Sequence, residues 1–434
     1  MEAAVVAGVV LIVGIAVLLL LRVPIAVSVG FSAFLAVAAV IGMEKASFVA
    51  AQRLFTGINS FTLLAIPFFI LAGVLMNNGG IASRLIAAAK VIVGRMPGSL
   101  AQTNVVANAM FGSVSGAAVA SAAAVGGVVG PRMKKEGYDK NFAAAVNVAS
   151  APSGMLIPPS NTLIVYSLVS STSIATLFIA GYLPGILWAV ACMIVVGLYV
   201  HKHKGVGITE RVTLRQGLIT LWRAVPSILM IIIVIGGILA GVFTPTESAA
   251  IAVVYCLILG FAYRAIKVSD LPRIILDATK TTCIVMLLVG VSTIMSWVMA
   301  FSGIPSALSQ AMLGFTNSPT VILLLIMVIL LVVGTFMDPT PAILIFVPIF
   351  LPIVTEFGVH PIHFGLMVTF NLCLGTITPP VGNVLFVGAK IANLRVEPVI
   401  KALVPFFIAL VIMLFVVTFV PGLSLWLPGL FGLV

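Results

Sequence analysis

Charge is what this chain has least of: of 434 residues only 8% are Asp, Glu, Lys or Arg, against 62% hydrophobic. A soluble fold cannot cover its surface with so few charges, so a water-soluble protein is excluded. Acidic residues are scarcer than basic ones, 11 against 22, leaving a net charge of +11. On a soluble domain that excess would suggest nucleic acid. In an apolar chain it reports which side the loops face, and no nucleic-acid partner is expected. Cysteine is nearly absent. Cys192, Cys256, Cys283 and Cys373 sit singly in apolar runs with no CxxC spacing, which argues against a disulfide framework or zinc site and leaves them as packing thiols. There is no HExxH, no phosphate-binding loop and no nucleophile with a base at motif spacing, so the chain is not expected to be an enzyme. Met1-Glu2 runs straight into apolar residues without the basic region or cleavage site of a signal peptide, so the first helix is expected to be retained.

Long apolar runs are what the chain does have. Val5 to Leu21, Pro226 to Val242 and Ala402 to Val420 are each long enough to cross about 30 Å of hydrocarbon as helices. Spans are read near 3–21, 24–42, 61–77 and 174–200, with an amphipathic stretch at 79–95. They recur near 226–242, 246–263, 282–301 and 400–421, with an amphipathic stretch at 303–316. The halves share a spacing of 221 residues: Pro24/Pro245, Pro131/Pro352, Pro158/Pro379, Pro159/Pro380 and Pro184/Pro405, with Gly137/Gly358 and Gly154/Gly375. Chance gives about 0.6 proline matches at one spacing, so these five indicate duplication. The expected organisation is an extra span at 1–23, a first repeat at 24–200, a cytoplasmic loop and linking span at 201–244, a second repeat at 245–421 and a tail at 422–434.

Each repeat contains two segments that no simple span explains. From Pro97 to Arg132 the chain is apolar apart from Gly112-Ser113-Val114-Ser115-Gly116; one helix would be about 54 Å long, too long for one crossing and too short for two. Basic residues close both ends and no charged loop lies between, so 97–131 is expected to be a re-entrant hairpin with its tip at this run. Gly112-x-x-x-Gly116 alone would equally suit close helix packing. A mate at 319–355, around Gly334-Thr335-Phe336-Met337-Asp338-Pro339-Thr340, favours the hairpin. After each hairpin comes a long apolar stretch broken in its middle: 141–170 at Ser150 to Asn161, and 362–391 at Gly375 to Asn383. Paired prolines there unwind the helix and free carbonyls that a hard cation accepts as ligands, and neighbouring Ser and Thr hydroxyls add neutral oxygens. Half-helices starting at Ser160 and Asn383 present partly positive ends suited to a carboxylate. Asp338 is the one carboxylate firmly within an apolar block, and an intramembrane ionisable group is functional by default.

Charge placement fixes the expected topology. With Arg22 cytoplasmic, 20 of the 22 basic residues fall on that side and only Lys45 and Arg53 fall outside. An odd number of spans separates equivalent points, so the repeats are inverted and both termini face outward. The expected fold is an all-α polytopic membrane protein with inverted structural repeats, two re-entrant helical hairpins and two broken helices, the pattern of secondary transporters.

These segments carry a family likeness. The run Leu64 to Gly73, the Gly112–Gly116 tip, Met133-Lys134-Lys135-Glu136-Gly137-Tyr138, Ile157-Pro158-Pro159-Ser160, Phe243-Thr244-Pro245-Thr246-Glu247 and the Gly375 to Pro380 break resemble the large membrane subunit of TRAP (tripartite ATP-independent periplasmic) transporters, the DctM or SiaM type. The resemblance covers nearly the whole chain, with its motifs in order. It implies sodium-coupled, elevator-type uptake in a bacterial inner membrane, with both termini periplasmic. The substrate would be an organic acid such as a C4-dicarboxylate, keto acid or sialic acid. The implied partners are a periplasmic substrate-binding protein that delivers it and a separate small four-helix membrane subunit. The alternative is a stand-alone sodium/dicarboxylate symporter without a binding protein.

The resemblance also implies where two or more coupling Na+ ions bind. One set is Ser113, Ser115 and Gly116 with carbonyls around Ser153, Gly154 and Pro158. The other is Gly334, Thr335 and Asp338 with Gly375, Thr376 and Thr378. Substrate is expected near Ser160, Asn161 and Asn383.

Overall fold

The computed structural model describes residues 2–203, 213–307, 310 and 318–434. Among the described residues all regular structure is helical, and eight helices are long and apolar enough to cross a membrane, or nine when one bent pair is counted as a span.

A scaffold forms from α1 (Glu2–Leu20), α2 (Ile25–Ile41), α3 (Met43–Ile58) and α4 (Ala65–Asn78) in the first part of the chain, and from α12 (Leu214–Leu239), α13 (Pro245–Ala262) and α14 (Leu271–Ser302) after its middle. α4 packs on α13, and α14 on α2 and α3. α13 starts where the sequence directs it. Pro245 occupies the first turn, where a missing N–H costs nothing, and Thr244 and Glu247 close a capping box, with Thr244 N donating to Glu247 Oε2 at 2.7 Å and Glu247 N to Thr244 Oγ1 at 3.2 Å.

Two expected spans are longer than hydropathy indicates. α12 begins at Leu214 rather than 226, and α14 at Leu271 rather than 282. Their first turns carry Arg215, Arg223, Arg273 and Lys280, so the helix continues where the apolar run stops; hydropathy marks the hydrocarbon, not the hydrogen-bonded helix. α3 is a further helix, at 43–58, that the apolar runs do not reveal.

The amphipathic stretch at 79–95 is α5 (Ile81–Val93), turned 72° from α4. Of the matching stretch at 303–316, residues 308–309 and 311–316 lie outside the described residues, as do Lys204 and Arg211 of the charge count.

The rest of the chain builds the second body. α6 (Ser99–Ser115) and α7 (Ala118–Lys135) form the first hairpin, followed by α8 (Lys140–Ser150), a single turn α9 (Ser153–Leu156), α10 (Asn161–Ser170) and the long α11 (Ile174–Lys202). In the second half come α15 (Pro319–Phe336) and α16 (Pro339–Glu356), then α17 (Pro361–Gly375), α18 (Asn383–Ile391), α19 (Val396–Phe419) and α20 (Gly422–Leu430). Adding 221 to the bounds of α7 gives those of α16 to the residue, and both paired-proline bonds, Pro158-Pro159 and Pro379-Pro380, are cis. The halves interlock, since α10 packs on α16 and α18 on α7. Each half-helix therefore leans on the hairpin of the other repeat.

Candidate transport site

The first hairpin turns at the end of the run that the sequence marks for it, and the second in the middle of its run. Gly112 to Ser115 form the last turn of α6, and the chain reverses at Gly116-Ala117, where Gly116 takes φ 61° as a left-handed cap that a side chain would disfavour. In the second hairpin Gly334 to Phe336 end α15 and the reversal falls at Met337-Asp338. Each tip then meets the break that follows it with backbone against backbone. A Cβ on Gly154 would stand 2.6 Å from the Ser113 nitrogen, and one on Gly375 would stand 2.7 Å from the Gly334 carbonyl oxygen.

The breaks satisfy part of the backbone they disrupt. Trp188, fully buried on α11, donates its indole N–H to the Ala149 carbonyl at 2.8 Å, one of the α8 carbonyls orphaned by the break. Ser160 caps α10: its hydroxyl donates to the Met155 carbonyl and accepts from Leu163 N at 3.4 Å. In the second break the oxygens converge. Gly382 N donates to Thr335 O at 3.0 Å, and a Cβ on Gly382 would lie 2.8 Å from Thr378 O and 3.2 Å from Thr376 O.

Most of the candidate hydroxyls turn their hydrogen back onto their own backbone. Ser113 donates to Met110 O at 2.9 Å, Ser153 to Ser150 O at 2.6 Å, Thr335 to Val332 O, Thr376 to Cys373 O and Thr378 to Leu374 O, the last three at 2.7 Å. A hydroxyl whose proton is committed in this way keeps lone pairs for a cation. Ser115 is held more weakly, 3.5 Å from both Gly112 O and Ala117 O.

One cavity of about 560 Å³ draws both repeats together. Gly116 and Asn161 of the first repeat face Asp338, Thr376 and Asn383 of the second, across from Ile25 and Leu288 of the scaffold. α2, α7, α10, α16 and α18 all begin at its wall, at Ile25, Ala118, Asn161, Pro339 and Asn383, so five partly positive helix ends surround one space. Among the described residues no Lys, Arg or His lines it, and Asp338 is its one carboxylate, accepting a hydrogen bond from Asn383 Nδ2. Of the expected ion ligands, Gly116, Asp338 and Thr376 reach this cavity. Ser113, Ser115, Ser153, Gly154, Pro158, Gly334, Thr335, Gly375 and Thr378 stand behind its wall. Of the expected substrate residues Asn161 and Asn383 line it; Ser160 does not, its hydroxyl being buried as the α10 cap.

A polar cluster inside the first hairpin was not foreseen. Asn108 Nδ2 lies 2.8 Å from Asn104 Oδ1, 3.1 Å from Asn147 Oδ1 and 2.8 Å from Ser150 Oγ, while Ser121 Oγ donates to Asn108 Oδ1 at 2.7 Å. All five side chains are buried. Their equivalents 221 residues on are Leu325, Ile329, Val368, Asn371 and Ala342, so the cluster belongs to one repeat. The signal was the i, i+4 pair Asn104/Asn108 within an apolar helix. Asn108→Leu should orphan several buried groups at about 1–3 kcal/mol each, lowering the unfolding temperature of the purified protein, whereas Ile329→Leu should change it little.

Paired hairpins and paired broken helices closing on one largely apolar cavity with a few converging polar groups define a helical membrane carrier. The chain belongs to the family of the tripartite ATP-independent periplasmic transporter, DctM component, whose model matches residues 12–423. It is 52% identical to the protein YgiK of Salmonella typhimurium over 96% of both chains. It is 38% identical to the C4-dicarboxylate TRAP transporter large permease protein DctM of Pseudomonas aeruginosa, over 88% of this chain and 90% of that one. Its fold is similar to that of the YdaH transporter of Alcanivorax borkumensis, with a TM-score of 0.64 and 14% identity, covering 89% of this chain and 88% of that one.

Proposed function

We propose that this chain is the sodium-coupled permease of a three-part importer for a small organic acid, a C4-dicarboxylate or an acid of keto or sialic type. A periplasmic binding protein delivers the substrate, and a separate small membrane subunit completes the carrier in the bacterial inner membrane. The observation that carries the reading is the central cavity: five helix N-termini, a carboxylate and, among the described residues, no basic side chain. An anion can be held there by oriented amides, and a coupling cation beside Asp338 offsets the remaining negative charge. The dicarboxylate permease among the relatives supports the substrate class.

The wall also supports an elevator cycle. Pro24 to Val27 and Thr281 to Leu288 contribute to it, next to Arg22 and Lys280 at the basic, cytoplasmic end of the scaffold. Of their repeat equivalents, Pro245 to Ser248 do not, and of Ser60 to Pro67 only Ile66 does. In this reading the second body has carried its site inward, and the return stroke brings it beside α13. Reconstituted with both partners, the carrier should take up substrate only with an inward sodium gradient and binding protein present. Uptake indifferent to sodium refutes the coupling, and uptake without binding protein favours the stand-alone symporter.

A further inference from the structure

A second cavity, of about 360 Å³, opens between α7, α8 and α18 and shares no wall residue with the central one. Lys134, in the last turn of α7, and Lys140, the first residue of α8, both line it. Asn147 forms part of its floor, only 4% exposed; its Nδ2 donates to Ala122 O at 2.9 Å and its Oδ1 accepts from Asn108. Asn393, at the end of α18, stands on the other side. Among the described residues no carboxylate lines this space. Asp139 is next in sequence to Lys140, but its Oδ1 accepts from Phe142 N at 2.9 Å as the cap of α8. Among the described residues neither Lys134 nor Lys140 is in an ion pair.

Two ammonium groups outside any ion pair on the wall of a concave space repel one another, while the Asp139 carboxylate is spent on the positive start of α8. Neutral amides on its floor and rim offer further polar contact. The complement is a compact oxyanion, and the volume lies in the range of small-ligand sites. We propose that this cavity binds a phosphate- or carboxylate-bearing anion at the cytoplasmic face, clamping the arm α7 of one repeat to the half-helix α18 of the other. The word cytoplasmic rests on the orientation given above; the binding does not. The same chemistry is offered by a soluble anion or by the phosphate of an anionic lipid.

The test uses the full chain with its small subunit in nanodiscs, without a sodium gradient, so its failure leaves the coupling proposal standing. Unfolding temperature is followed against inorganic phosphate and succinate in phosphatidylcholine at ionic strength matched with chloride, and separately with phosphatidylglycerol replacing part of the phosphatidylcholine. A saturable rise of about 2 °C is expected at tenfold excess over half-saturation, and half-saturation should be at least tenfold weaker in Lys134→Gln/Lys140→Gln. Lys267→Gln/Lys280→Gln, outside the cavity, should respond like the unaltered protein. A response to soluble anions identifies a free ligand, and one to phosphatidylglycerol alone identifies a lipid. No response to either, or an unchanged response in the Lys134/Lys140 variant, overturns the proposal.

Discussion

Asp338→Asn should lower sodium-driven uptake by roughly five- to thirtyfold and raise the sodium concentration needed for half-maximal rate, with little change in unfolding temperature. Asp338 occupies the N-cap position of α16 without making a side-chain cap bond, so its carboxylate is free to face the cavity, where Asn383 donates to it. Asp338 remains exposed in the cavity, and one neutral amide with two helix ends leaves most of its negative charge uncompensated. A bound monovalent cation would supply the rest. Asparagine keeps the shape and an oxygen for Asn383, so the fold survives, but it withdraws the charge that distinguishes a charged ligand from a neutral one. Contacts to charged groups exceed neutral ones by about 1–2 kcal/mol, and each 1.4 kcal/mol is tenfold. Uptake assays across a sodium titration, with both partners present, measure this. If the sodium dependence is unchanged, Asp338 is no ligand. Ser115→Ala removes only a weakly held neutral oxygen and should cost less; a larger loss than at Asp338 would reverse the order of the two sites.

How far the sequence foretells this site follows from what each signal measures. Paired prolines and the 221-residue spacing reveal both breaks and both hairpins because backbone chemistry is written in residue type: single prolines such as Pro131 and Pro184 lie inside α7 and α11, but the adjacent Pro158 and Pro159 remove two donors at once, and the helix does not continue through them. Asp338 is legible because a charge in an apolar run has few neutral explanations. The role of Ser160 is less legible, since the same hydroxyl can cap a helix or face a ligand, and only the packing of α10 decides. The first tip sits at the end of its expected run because Gly112 to Ser115 read as turn residues, yet Gly116 alone takes the left-handed conformation that ends α6. The meeting of Gly154 with Gly112 and Ser113 is a contact between distant segments that no local pattern encodes. The basic starts of α12 and α14 escape hydropathy because a helix does not need a membrane to continue.

Gly154→Ala and Gly375→Ala should each abolish most transport and lower the unfolding temperature. Overpacking ordinarily costs about 1–3 kcal/mol because side chains shift aside. Here the added methyl meets backbone: Gly112 and Ser113 in the first repeat, Gly334 in the second, so relief requires moving a hairpin tip. Movement of about an ångström at the tip also displaces Gly116 or Asp338 at the cavity wall, so stability and transport should fall together. Gly127→Ala is the control, since its Cβ would meet nothing within 4 Å and the change improves the propensity of α7 by about 1 kcal/mol. Thermal unfolding and uptake measured on the same preparations separate the cases. If Gly154→Ala and Gly375→Ala behave like Gly127→Ala, the tips are not held by backbone contact. Damage at one position alone would mean that only one repeat clamps its hairpin.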